Sequence, residues 1–173
     1  MEFEMPLTKH TSASSSTDGR IESRRLAEQL RNAFAGEAWH GPALLELLAE
    51  VDSATAAAHP FPGVHSIWEL VLHIAAWDDA VNRRIVLGKA LQLNDAKNFP
   101  PVDDTSAAAW KKAVEEATQT HGQLLKTVEA LPDQRLSERV PGKNYDIRFM
   151  LEGVAQHELY HAGQIAILKK AGK

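Results

Sequence analysis

The sequence predicts an all-α fold, a four-helix bundle, and three observations lead there. Long segments repeat apolar residues at spacings of three and four, and no segment sustains the apolar-polar alternation of a strand. Helix-start and helix-stop residues bracket those segments. The 173 residues suit one domain with its own core, and with no cysteine present that core must form without disulfides.

Residues 1–19 are polar and low in complexity, Thr11 to Gly19 above all, so they are expected to form a disordered tail. Residues 20–173 are expected to form the bundle domain. The first helix starts near Arg20 and carries Ile21, Leu26, Leu30 and Phe34 on one stripe. Gly36 to Pro42 interrupts it, and Pro42 suits the first turn of a new helical piece with Leu44, Leu45, Leu47 and Leu48. The second main helix has a capping box, Ser66-Ile67-Trp68-Glu69, and continues through Leu70, Val71, Ile74, Trp77, Val81 and Ile85 to Gly88. A long linker follows.

The third helix is expected from Asp104 or Thr105 to Ala130, before Pro132, with Trp110, Ala113, Val114, Ala117, Leu124 and Val128 as its stripe. The fourth is capped by Asp146 and ends near Lys170, where lysines suit the helix dipole. Linkers this long permit crossover connections, so an up-down-down-up topology is expected.

Composition excludes several classes. The net charge is −4 and no basic stripe appears, which argues against a nucleic-acid partner. No apolar run approaches the roughly 20 residues of a membrane span, and the N-terminus lacks a signal-peptide core. Without cysteine there is no thiolate ligand or nucleophile, which fits a cytoplasmic location.

The eight histidines are the compositional oddity. On the fourth helix His157 and His161 are one turn apart and fall on the stripe of Ile147, Met150, Val154, Ile165 and Leu168. On the second helix His73 lies one turn from Leu70 and Trp77, at the margin of the apolar face. One inward histidine is more often a core residue bonded to a carbonyl. Two in register with a third on another helix point to a divalent ion, Zn, Ni or Fe, held with open positions. His121, on the third helix's stripe, reads as a packed residue, with a supporting or extra-ligand role as the alternative. His40 and His65 read as surface residues beside helix starts, and Trp77 as a core residue that can wall a pocket.

His157-Glu158-Leu159-Tyr160-His161 also matches the zinc-protease pattern H-E-x-x-H, with Glu158 as base. The context opposes a protease: no downstream third ligand follows, Gln164 stands where the extended motif needs glycine, and no strand is available for a peptide. Glu158 and Gln164 remain candidate catalytic residues beside the ion.

Two stretches, His65-Ser66-Ile67-Trp68-Glu69-Leu70-Val71-Leu72-His73-Ile74-Ala75-Ala76-Trp77 and Gln156-His157-Glu158-Leu159-Tyr160-His161-Ala162-Gly163-Gln164-Ile165, resemble the DinB/YfiT-like superfamily. The resemblance implies an up-down-down-up four-helix bundle, commonly a homodimer. It implies a three-histidine metal site that maps onto His73, His157 and His161. Some relatives are transferases or isomerases that use low-molecular-weight thiols. The expected function is therefore a metal-dependent enzyme of the thiol-transferase or hydrolase class, acting on a small molecule. The alternative is a non-catalytic metal-binding or stress-response bundle, and an H-E-x-x-H protease ranks last.

Overall fold

The computed structural model describes residues 19–171, so the expected tail lies, but for Gly19, outside the described residues. Seven α-helices follow in order: α1 (Ile21–Phe34), α2 (Leu44–Leu48), α3 (Ser53–Ala57), α4 (Ile67–Leu87), α5 (Asp95–Asn98), α6 (Ala107–Ala130) and α7 (Ile147–Ala171). A 3-10 turn, Asp133–Ser137, sits between the last two. Among the described residues there is no strand; Arg139 and Asp146 form an isolated bridge.

Local chemistry accounts for the helix ends. Ser66 Oγ accepts from the Glu69 N–H at 3.2 Å, and the Glu69 carboxylate accepts from the Ser66 N–H at 2.8 Å. Gly88, at φ 59°, closes α4 in the left-handed conformation. Asp146 Oδ1 accepts from the Phe149 N–H at 2.8 Å and starts α7. The start of α6 falls later than Asp104 or Thr105. Asp104 instead accepts from the Ser106 N–H, and Ser106 is the cap, its Oγ accepting from Ala109.

The expected helical piece after Pro42 is α2, and a second short helix, α3, follows it. In α2 Glu46 reaches back to the Ala43 N–H, while α3 is capped by Asp52. The cap of α1 comes from far along the chain: Asp133 accepts from the N–H groups of Glu22 and Ser23.

Side-chain contacts give the helix directions. Trp68, Asp78 and Asn82 meet Trp110, His121 and Thr127 in that order, so α4 and α6 run parallel. Glu22 pairs with Arg148 near the starts of α1 and α7, whereas Ser23 reaches Leu131 and Phe34 stacks on His121, so α1 opposes α6. α1 packs on α6 and α7, and α4 packs on the same two. The directions along the chain are up, down, down, up, and the long connections carry the small helices.

The core has two apolar clusters. One gathers Phe34, Leu44, Ile67, Ile74, Trp110 and Ile165; the other gathers Leu30, Val81, Leu124, Val128, Leu151 and Val154. Each fully buried large side chain contributes about 1.5–3 kcal/mol. Between the clusters lies a polar layer. Along α4 it falls between Ile74 and Val81, along α6 between Ala117 and Leu124, and along α7 between Val154 and Ile165. That layer holds Asp78, His121, Glu158 and His161, all buried.

Candidate metal centre

α4 and α7 pack side by side, and their one-turn spacings place His73 opposite His157 and His161. The three Nε2 atoms converge. His157 Nε2 lies 2.9 Å from His73 Nε2 and 3.0 Å from His161 Nε2. The outer nitrogens of His73 and His161 are already engaged. His73 Nδ1 donates to the Asn98 carbonyl at 2.7 Å, and His161 Nδ1 donates to Gln164 Oε1 at 2.6 Å.

A carbonyl oxygen can only accept, so His73 and His161 carry their protons on Nδ1 and point lone pairs at His157. One proton on His157 Nε2 would satisfy one of these neighbours and leave the other facing it. A cation satisfies all three. Nitrogens bound to one ion at about 2.0–2.1 Å lie about 3–3.4 Å apart, close to the His157 spacings to His73 and His161.

The electrostatics agree. Burial lowers the pKa of His73, against the Asn98 carbonyl, and that of His161, against Gln164. Burial and the neighbouring His161 and His73 push His157 down to about 3. All three rings are neutral at pH 7 and present lone pairs, which suits a metal ion.

The linker supplies the supporting contacts. Asn98, the last residue of α5, holds His73 through its backbone carbonyl and the Trp77 indole N–H through its side-chain oxygen at 2.9 Å. Phe99 stacks flat between His65 and His73, with ring centroids 3.8 and 4.0 Å away. The histidines open on a cavity of about 440 Å³, walled by Trp77, Val81, Met150 and Val154, with Arg84 at its side and the exposed Phe149 and Tyr160 at its rim.

The family profile described as the DinB superfamily matches residues 38–165, a span that contains all three histidines, Asn98 and Gln164. The chain belongs to the DinB superfamily. Searches of curated proteins and of solved structures found no match.

In this DinB-superfamily bundle Glu158 and Gln164 face different partners. Gln164 holds His161. Glu158 is fully buried and does not line the cavity; its Oε1 lies 3.0 Å from His121 Nδ1, which donates to Asp78 Oδ2 at the same distance. His121 is thus more than a packed ring: it joins α6 to a carboxylate on α4 and another on α7.

Burial alone would lower the His121 pKa, but the bonds to Asp78 and Glu158 win and hold it up at about 9. Burial and the nearby Asp78 push Glu158 up to about 8, and burial also raises Asp78. His65 is exposed, stacked on Phe99 and bonded to Glu69, and His40 is exposed.

These shifts set a pH optimum for the metal-free fold. Between about pH 6.5 and 8 the folded chain keeps protons on His121 and Glu158 that the unfolded chain has lost, and His121 keeps its own to about 9, so stability falls as pH rises. Below pH 6.5 the unfolded chain protonates His73, His157 and His161 more readily than the fold does, and these three outweigh the one proton that Glu158 keeps in the fold, so stability falls on acidification. Urea midpoints of chelator-treated protein are expected to peak near pH 6.5. A midpoint still rising at pH 8 would contradict the buried cluster of Asp78, His121 and Glu158.

Proposed function

We propose that this chain is a metal-dependent enzyme of the thiol-transferase or hydrolase class, working in the cytoplasm on a small molecule. The observation that carries this reading is the placement of the histidines. Their converging nitrogens open on an apolar cavity of about 440 Å³ rather than being sealed in the core. His73, His157 and His161 would hold the ion, and three ligands leave positions for a reactant. A divalent ion there, Zn, Ni or Fe, supplies Lewis acidity, lowering the pKa of a thiol or water enough to make a nucleophile at neutral pH.

The chain's own residues prepare that site. Asn98 and Gln164 fix two imidazole tautomers, Trp77 and Val81 exclude water, and the rim admits a molecule of limited size. Glu158 is fully buried, does not line the cavity and faces His121 instead. The same placement weighs against the protease reading, which needs that carboxylate beside the ion.

The test is elemental analysis of protein purified without an affinity tag, followed by assays with a low-molecular-weight thiol plus an aryl halide, and with small esters. About one divalent ion per chain with turnover that a chelator abolishes is the expected result. Metal without turnover would favour the non-catalytic bundle, in which the ion fastens α4 to α7. Absence of metal would defeat both readings.

We also propose a homodimer through the outer stripe of α7. Phe149, Tyr160 and Ile167 are 61%, 64% and 62% exposed, and their spacing sets them on one line along the helix. Sedimentation should show a dimer that Ile167→Lys weakens, and a monomer at high concentration would refute the pairing.

A further inference from the structure

Arg84 is an odd residue to find beside an apolar cavity. It sits on α4 between Val81 and Ile85 and is only 3% exposed. Its Nε and Nη2 donate to the Leu91 carbonyl at 3.1 and 2.7 Å, and its Cζ lies 5.4 Å from the Trp77 ring. Both partners are uncharged. Among the described residues no carboxylate pairs with this guanidinium, and Nη1 has no hydrogen-bond partner. A buried cation without an anion is costly, and an aromatic face offsets only part of that cost.

We propose that the cavity binds a small, largely apolar molecule bearing a single carboxylate, with the carboxylate on Arg84 and the opposite end at the three histidines. This rests on the reading of the histidines as the reacting end. The end-on edge of the guanidinium, Nη1 and Nη2, is the part that Leu91 leaves available, and it can take a carboxylate through two parallel bonds.

Charge balance selects a monoanion. One guanidinium neutralises one carboxylate, whereas a phosphoryl dianion would leave excess charge against Val81, Met150 and Val154. Trp77 bridges the two ends: its ring is 5.4 Å from Arg84 Cζ and 5.9 Å from the His157 ring. A ligand body lying along that indole spans the distance with a few carbon atoms.

The test is calorimetric binding of 4-phenylbutyrate and its neutral amide, run on metal-free protein so that no ion can take the carboxylate. The acid is expected to bind at least about 10-fold tighter than the amide, and Arg84→Met is expected to abolish that preference. Arg84→Lys, which keeps the charge but lacks the fork, should retain part of it and covers the case in which Arg84→Met fails to fold. Equal affinity for acid and amide, a preference that survives in folded Arg84→Met protein, or no binding of either probe at millimolar concentration would each overturn the proposal. Metal content, measured on the same variants, reports separately: its absence from wild type would refute the metal reading while leaving the acid preference to be judged alone.

Discussion

His157→Ala protein, purified without a tag, is expected to carry almost no divalent ion. His157 is the middle of the three candidate ligands, its Nε2 within 3.0 Å of both others. Removing it leaves two imidazoles on different helices and a gap where their lone pairs meet. Loss of a contact that merely orients a ligand costs about 10–100-fold in affinity, so loss of the central ligand should cost more than that.

Gln164→Ala, which frees His161 Nδ1 but keeps the ring, gives the comparison: weakened binding within that 10–100-fold range. The fold should survive both changes, because His157 is half-buried and its neighbours Val154 and Ile165 keep their packing. Competition titration with a chromophoric chelator measures the affinities. Full metal content in His157→Ala would show that the ion is held elsewhere, and the buried Asp78, His121 and Glu158 would be the first place to look.

The convergence of the three histidines was legible in the sequence because ligand spacing and helix periodicity share a rule. A one-turn spacing on the core stripe of the fourth helix marks His157 and His161, and Ser66 and Gly88 frame the helix that carries His73. The capping box, the αL stop and the Asp146 cap all rest on short-range chemistry. The supporting residues lack any such local signal. Asn98 and Phe99 belong to a linker whose one helical turn has no apolar period, and their importance arises only when that linker folds back on α4.

Asp78 stands beside Asp79 and looks like half of a surface pair, since carboxylates are usually exposed. His121 gives no hint of its partners, because periodicity sets a residue's face but not the axial register between helices, and Asp78 lies 43 positions away. Arg84, in the last turn of its helix, looks like a dipole-complementing surface cation. In each case the missing information is tertiary.

The polar layer carries the second large effect. Asp78→Ala is expected to destabilise the fold by about 3–5 kcal/mol, the usual loss when one partner of a buried charged set is removed. Asp78 and Glu158 both lie 3.0 Å from His121 Nδ1, and the N–H aligns with Asp78. Without Asp78 the imidazolium must shed its proton or rely on Glu158, whose oxygens already lack good hydrogen bonds. Either way α6 loses its buried His121–Asp78 bond to α4.

The contrasting variant replaces the whole set: Asp78→Leu, His121→Phe and Glu158→Leu together. Removing all three polar groups at once also removes their desolvation cost, so this triple variant should be no less stable than wild type, and up to roughly 4 kcal/mol more stable. What it should lose is discrimination. Phe34 stacks on His121, and the polar layer is where α4, α6 and α7 are locked in axial register between two apolar clusters. A continuous apolar core permits sliding, and sliding of α4 against α7 would move His73 away from His157.

The triple variant is therefore expected to melt at or above the wild-type temperature yet bind metal more weakly. Urea unfolding and chelator competition on the two variants decide the matter. If Asp78→Ala loses under about 1 kcal/mol, the triad is not a coupled charged set. If the triple variant binds metal as tightly as wild type, the polar layer does not set the register that brings the histidines together.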